Sequence, residues 1–212
     1  VDSTASSSVK KMEGNFFNAD LGYSLASDKR NQAFKPTQGS QVVFRQSLPI
    51  IQDSSSILNG LDINSYHDFS EDLIGSLKFH ARTITGIDSD VRLTNRLYIP
   101  RNKLRGFNTF KVGPKDGDDY IGGNYTTAMS AEAQLPNLLP ESYRTDFSAF
   151  FDAANVWGVD YDSALSDSSK IRSSVGIAID LFTPVGPMSF SLAETITQED
   201  SDITESFRFR IG

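Results

Sequence analysis

The feature that most constrains this chain is a period-two alternation of apolar and polar residues, which recurs along most of its length. In one segment, Leu77 and Phe79 alternate with Lys78 and His80. Because successive side chains of a β-strand point to opposite faces, this pattern predicts strands with one apolar and one polar face. Helical periodicity is almost absent. The sequence therefore predicts an all-β fold of about nine strands, at residues 17–25, 41–48, 57–66, 73–85, 129–135, 143–152, 171–181, 188–196 and 207–211.

The lengths of the strands and of their connections favour a membrane β-barrel. Most predicted strands are close to the ~9–11 residues that cross a bilayer when tilted, and their polar faces carry charged residues in mid-strand. Counted back from the C-terminus, medium and short connections alternate before a very long one, which is typical of a barrel with long loops on one membrane side. No apolar run approaches the ~18–20 residues of a membrane-spanning helix. A soluble β-sandwich has the same alternation and stays open as an alternative.

The composition argues against several classes of function. The chain has no cysteine, and its two histidines, His67 and His80, lack the spacing of metal ligands, so no metal site is expected. The formal net charge of -7 comes from acids and bases mixed throughout, without the basic stripe of a nucleic-acid-binding protein. No P-loop, dinucleotide-binding or nucleophile-elbow pattern is present. We therefore expect no enzymatic activity, no cofactor and no nucleic-acid partner.

The longest segment without a strand pattern is residues 87–121, and it contains Leu104-Arg105-Gly106-Phe107. Loops longer than about 15 residues are uncommon in compact domains and are often functional. Arg105 is a permanent planar cation that can bind a carboxylate through two parallel hydrogen bonds. Gly106 permits a backbone turn that other residues avoid, and Phe107 is a large apolar anchor. This tetrapeptide is the candidate functional motif of the chain.

Several motifs occur in an order that is similar to one known family. The loop tetrapeptide resembles a V-R-G-F/Y signature, and Phe150–Trp157 is similar to F-x-D-x-G-x-V-W, with Ala154 where glycine is usual. Further matches are Lys29–Asn31 with Phe34–Gly39, Val112–Lys115 with Ile121–Asn124, Ile171–Gly176, and Thr183–Pro187. Together they identify a resemblance, over nearly the whole chain after Glu13, to the BamA family of outer-membrane barrel-assembly proteins.

The resemblance implies that residues 1–212 are the C-terminal portion of a transmembrane antiparallel β-barrel of sixteen strands. About nine strands cannot close such a barrel alone, because open strand edges leave unpaired backbone groups. The resemblance also implies that the loop at about 87–121 folds into the lumen, where Arg105 contacts Glu132 and Asp152. The alternation independently assigns both carboxylates to the polar face.

The function implied by the resemblance is folding and insertion of β-barrel proteins into the bacterial outer membrane. The terminal strand, with Phe207, Phe209 and Ile211, is expected to form one side of a seam that admits client strands by β-augmentation. The expected partners are unfolded β-barrel clients, outer-membrane lipid, and the lipoproteins of an assembly complex, which would bind through periplasmic modules missing from this sequence. A related transporter barrel, TamA-like or of the two-partner secretion type, is the alternative within this group of families.

Overall fold

The computed structural model of this chain describes residues 5–135, 145–160, 167–183 and 186–211. The matched motif Thr183–Pro187 falls partly outside these ranges, at Pro184 and Val185, and so does Tyr143 at the start of one predicted strand. The described elements are helix α1 (Ser7–Lys10), a 3-10 helix (Leu93–Asn95), and strands β1 (Asn18–Asp28), β2 (Gly39–Gln52), β3 (Ser56–Ser70), β4 (Leu73–Gly86), β5 (Gly106–Phe107), β6 (Lys115–Asp116), β7 (Asp119–Tyr120), β8 (Tyr125–Leu135), β9 (Thr145–Trp157), β10 (Arg172–Thr183), β11 (Gly186–Thr197), β12 (Thr204–Glu205) and β13 (Phe207–Ile211).

The nine predicted strands are confirmed, and they form a single antiparallel sheet. Its order is β1-β2-β3-β4-β8-β9-β10-β11-β13, so each strand pairs with the next long strand along the chain. The alternative of a β-sandwich is wrong, because a sandwich needs two sheets packed face to face. Among the described residues, β1 and β13 are the two edges and do not pair with each other. This agrees with the expectation that these strands alone do not close a barrel.

One face of the sheet is apolar and exposed along many strands. Leu77 on β4, Ile177 on β10 and Leu192 on β11 are each about half exposed. So wide an apolar surface is unusual on a soluble protein and is the lipid-facing surface expected of a membrane barrel wall. We call this the outer face, and the opposite one the inner face. Within the described ranges, no helix is long and apolar enough to cross a membrane.

Strand β2 is longer than the sequence predicts. The alternation ends before Pro49, but the strand continues to Gln52. Pro49 lies opposite Asp20 of β1, next to a register shift between Ala19 and Asp20. A bulge of this kind accommodates a residue that has no backbone N–H to donate, so the proline does not end the strand.

The connection between β4 and β8 packs against the inner face. It was predicted to lack helix and strand, but it contains the 3-10 helix and the short strands β5, β6 and β7. Its apolar side chains form a small core with two strands of the wall, made of Ile99, Leu104, Phe107, Val112, Ala128, Ala154 and Val156. Burial of these side chains is the main force that holds the connection on the sheet. We refer to residues 87–124 as the inner loop.

Candidate functional site

Arg105 of the inner loop lies over two acidic residues of the wall. Its Nε donates to Asp152 Oδ2 at 2.8 Å and its Nη2 donates to Asp152 Oδ1 at 2.9 Å, which is the bidentate arrangement of a guanidinium and a carboxylate. The backbone N–H of Arg105 also donates to Asp152 Oδ2, at 3.0 Å. Nη1 donates to Glu132 Oε2 at 3.1 Å. The structure thus brings together the cation and the two carboxylates that the sequence assigned to one face.

The two carboxylates differ in burial and in number of contacts. Asp152 has a side chain with no exposed surface, and it also accepts a hydrogen bond from Ser130 Oγ at 2.6 Å. Glu132 is 22% exposed and lies 3.9 Å from the ammonium of Lys78. An uncompensated buried carboxylate is costly, so Asp152 depends on Arg105 more than Glu132 does.

The electrostatic environment keeps Arg105 charged. Burial by itself would lower the pKa of its guanidinium, but the hydrogen bonds and charges of Asp152 and Glu132 outweigh burial and raise that pKa above its usual value. The guanidinium of Arg105 is therefore a permanent cation.

Phe150 also contacts Arg105, although the sequence pattern does not predict this contact. It lies on β9 two residues before Asp152, so it points to the inner face, where it is 3% exposed. The guanidinium carbon of Arg105 lies 3.4 Å from the centre of its ring, which is a close cation–π contact. The signal in the sequence is a break in the alternation, because an aromatic residue occupies a position whose neighbours on the same face are polar.

Leu104, Gly106 and Phe107 fix the position of Arg105. Leu104 and Phe107 are buried in the small core described above. Gly106 has a φ of +88°, and a Cβ at this position would lie 3.1 Å from the Cβ of Ser174 and 3.2 Å from that of Ala193. Glycine is therefore required both by the backbone conformation and by the close approach to β10 and β11. Ser174 Oγ donates to the carbonyl oxygen of Arg105 at 2.5 Å, which ties the motif to β10.

The residues predicted for the seam lie apart from this site. Phe207, Phe209 and Ile211 of β13 are exposed on the outer face, and Phe209 stacks on Phe190 of the neighbouring strand at 4.8 Å between ring centres. β13 pairs with β11 on one side, and its other side is a sheet edge among the described residues. Arg208, between the two phenylalanines, points to the inner face and is buried. Its contacts were not anticipated from the sequence.

The contacts at this site hold the inner loop on the sheet by electrostatic interactions and do not form a reactive centre. Within the described ranges, no group of three or more histidine, aspartate or glutamate side chains is arranged to hold a metal ion. The roles of the Leu104–Phe107 motif, the two carboxylates and the terminal strand stay predictions, whereas their contacts are structural facts.

Two of the known proteins that resemble this chain are named outer membrane protein assembly factors. It is 28% identical over 218 residues to the outer membrane protein assembly factor BamA of Neorickettsia risticii (strain Illinois), a match that covers 100% of this chain and 29% of that protein. It is 30% identical over 136 residues to BamA of Neisseria meningitidis serogroup B, which covers 51% of this chain and 17% of that protein. The chain thus spans less than a third of the length of either relative.

The fold is also that of a solved relative. The crystal structure of BamA from Haemophilus ducreyi lacking POTRA domains 1-3 matches with a TM-score of 0.80 at 25% identity, over 90% of this chain and 41% of that one. The resemblance inferred from the motifs is thereby confirmed. The model of the Omp85 superfamily domain matches residues 2–212. Because that match covers nearly every residue, the chain belongs to the Omp85 superfamily.

Proposed function

We propose that this protein folds β-barrel proteins and inserts them into the bacterial outer membrane, without catalysing covalent chemistry. The observation that carries the proposal is the contact of Arg105 with Asp152 and Glu132, made by an Arg-Gly-Phe loop on the inner face of a membrane wall. Relatives named as outer membrane protein assembly factors, one of them similar over the full length of this chain, support the same function.

The free edge of β13 is the proposed entry point for clients. On this edge, backbone N–H and C=O groups that pair with no other described strand can add an incoming strand by β-augmentation. Phe207, Phe209 and Ile211 keep the outer face of this strand apolar, as required of a strand that contacts lipid. In this proposal, the partners are unfolded β-barrel proteins, outer-membrane lipid, and assembly-complex lipoproteins that bind periplasmic modules of the full-length protein.

The inner loop supplies stiffness to the wall beside that edge. It contacts β8 and β9 through Arg105, and β10 and β11 through the close approach of Gly106. Loss of the Arg105 contact would loosen the part of the inner loop around residue 105 without disturbing the outer face. We therefore expect a variant at this position to remain inserted in the membrane but to assemble clients poorly.

The test uses the full-length protein and its Arg105→Ala variant, each reconstituted in liposomes with an unfolded β-barrel client. Folded client is measured by its resistance to added protease and by its altered migration on unheated gels. We expect the wild-type protein to increase the yield of folded client over empty liposomes, and the variant to give much less. Transport of a non-barrel substrate into the liposomes, with no gain in folded client, would support the transporter alternative and contradict the proposal.

A further inference from the structure

A second arginine connects the terminal strand to the inner loop. Nη1 of Arg208 donates to the carbonyl oxygen of Arg101 at 2.6 Å and to that of Leu104 at 3.5 Å, and Nη2 donates to the carbonyl oxygen of Phe107. Nε donates to the Glu205 carboxylate at 3.0 Å. Arg208 is only 7% exposed, although it lies on an edge strand. One side chain of β13 thus binds the loop backbone on both sides of Arg105.

The acceptors make this contact unusually dependent on Arg208. The guanidinium is an ionised donor, so its hydrogen bonds to the backbone carbonyls are charge-assisted and stronger than those from neutral donors. The three carbonyl oxygens converge on one cation, while Arg105 turns its own guanidinium toward Asp152. The conformation of residues 101–107 is therefore organised around a residue of the terminal strand.

The backbone before β13 makes a second connection to the inner loop. β12 pairs with β5, which places Thr204 opposite Phe107. The N–H of Asn108 donates to the carbonyl oxygen of Ile203 at 2.7 Å, and the N–H of Ile203 donates to that of Lys111 at 3.1 Å. A displacement of β13 must therefore either carry the inner loop with it or break these contacts.

From these contacts we infer that Arg208 is a positioning residue that couples the terminal strand to the Arg105 motif. When β13 holds its place beside β11, Arg208 holds residues 101–107 in the conformation that presents Arg105 to Asp152. When β13 moves away, the carbonyls lose their donor and the motif is released. The coupling is reciprocal, because the free energy of a contact between two segments stabilises the position of each of them equally. The inference rests on the proposed function only in assigning client entry to β13.

Arg210 provides a matched control for Arg208. It lies two residues further along β13, on the same face, and it lines the same cavity. Its backbone lies in the ladder opposite Ser189 of β11, but its side chain is exposed and makes no hydrogen bond or ion pair with the described residues. Arg208→Gln and Arg210→Gln therefore remove the same charge from the same strand, but only the first removes the donor of the loop carbonyls.

The experiment measures amide hydrogen exchange of the full-length protein and its variants in lipid nanodiscs. In Arg208→Gln, we expect the amides of residues 101–111 to exchange roughly ten- to a hundredfold faster, as for the loss of charged hydrogen bonds. In Arg210→Gln, we expect a change of less than about twofold, as for an ordinary surface position. In the opposite direction, Arg105→Ala should speed exchange at residues 203–208, because coupling acts both ways.

The conservative variant separates positioning from general loss of structure. Arg208→Lys keeps a donor for the carbonyls but loses the bond to Glu205, so its exchange rates should lie between those of the wild type and Arg208→Gln. If Arg208→Gln does not assemble, the Arg208→Lys and Arg105→Ala measurements decide the question. Equal changes in amide exchange in Arg208→Gln and Arg210→Gln would overturn the coupling. It would also be overturned if exchange in the inner loop were unchanged in Arg208→Lys and exchange at residues 203–208 were unchanged in Arg105→Ala. Because hydrogen exchange needs no client, this result is independent of the proposed assembly function.

Discussion

Asp152 has no exposed side-chain surface, and Arg105 covers it with three donors, a backbone N–H and two guanidinium N–H groups. The pair joins a strand of the membrane wall to the inner loop across 47 positions of sequence. A buried carboxylate that accepts hydrogen bonds from both the backbone and the side chain of one residue holds the backbone and the charged group of that residue in place.

The two carboxylates should differ in their importance to the inner loop. Asp152→Asn leaves the half-buried Arg105 without its bidentate partner, and we expect it to weaken docking of the loop by about 3 kcal/mol. Glu132→Gln removes a single, more exposed hydrogen bond and should cost at most about 1 kcal/mol. The measurement is the rate of tryptic cleavage in the full-length protein at Lys103 and Lys111, which lie in the loop. Equal cleavage of the two variants would contradict the ranking.

Removing the cation should be as damaging as removing the buried anion. Arg105→Ala leaves Asp152 buried without a partner, with an expected loss of about 3–5 kcal/mol in docking. Arg105→Lys keeps the charge but loses the planar fork, so it should rescue docking only in part. Folded client yield and tryptic cleavage of the loop should change together across wild type, lysine and alanine. A lysine variant with the cleavage rate of the alanine variant would show that charge alone contributes nothing.

Much of this arrangement could be predicted from the sequence, because strand alternation determines which face a residue occupies. That alternation placed Glu132 and Asp152 on one face, and the motif resemblance pointed to Arg105 as their partner. Phe150 and Arg208 escaped prediction for different reasons. Phe150 violates the polar pattern of its own face, and alternation alone gives no reason for an aromatic residue there. The contacts of Arg208 are with backbone carbonyls, which carry no side-chain signal in a sequence.

The aromatic ring of Phe150 should contribute through its π face. Phe150→Leu keeps an apolar side chain but removes the ring beneath the Arg105 guanidinium, which should cost about 1–2 kcal/mol of docking. Phe151→Leu is the matched control, because the next residue of β9 points to the outer face and does not contact the loop. Tryptic cleavage of the inner loop should therefore increase in the first variant only. An equal increase in both would mean that the strand, rather than the cation–π contact, had been disturbed.

Acid should release the N-terminal segment from the inner loop. The backbone N–H of Ser6 donates to Asp119 Oδ2 at 3.0 Å, and hydrogen bonds from Ser6 lower the pKa of Asp119 below its ordinary value of 3.8. Since the pKa is lower in the docked state, docking is stabilised above pH 3.8 and loses that stabilisation as pH falls through the lowered pKa. A fluorescent label at Glu13→Cys, in a full-length protein otherwise free of cysteine, should report release on acidification. Asp116 accepts hydrogen bonds from the Ser8 N–H and from Ser7 Oγ, which lower its pKa as well, so Asp119→Asn should reduce the pH dependence of the signal. The double variant Asp116→Asn/Asp119→Asn should abolish it, and a signal that persists there would assign the transition to another group.

Substitution of Gly106 should separate two costs that coincide at this position. Gly106→Ala forces alanine into a φ of +88° and brings its Cβ against Ser174 and Ala193. The backbone conformation alone should cost about 1–3 kcal/mol, and the contacts add to it. Gly117→Ala is the matched control in the same loop, because its φ of +60° is also positive but nothing lies within 4 Å of the added methyl group. We therefore expect Gly106→Ala to increase tryptic cleavage of the loop well beyond Gly117→Ala.

The double variant Gly106→Ala/Ala193→Gly should recover part of the difference, because it removes one of the two contacts. If the double variant behaves like Gly106→Ala, close packing against β11 does not limit this position and the backbone conformation accounts for the whole effect.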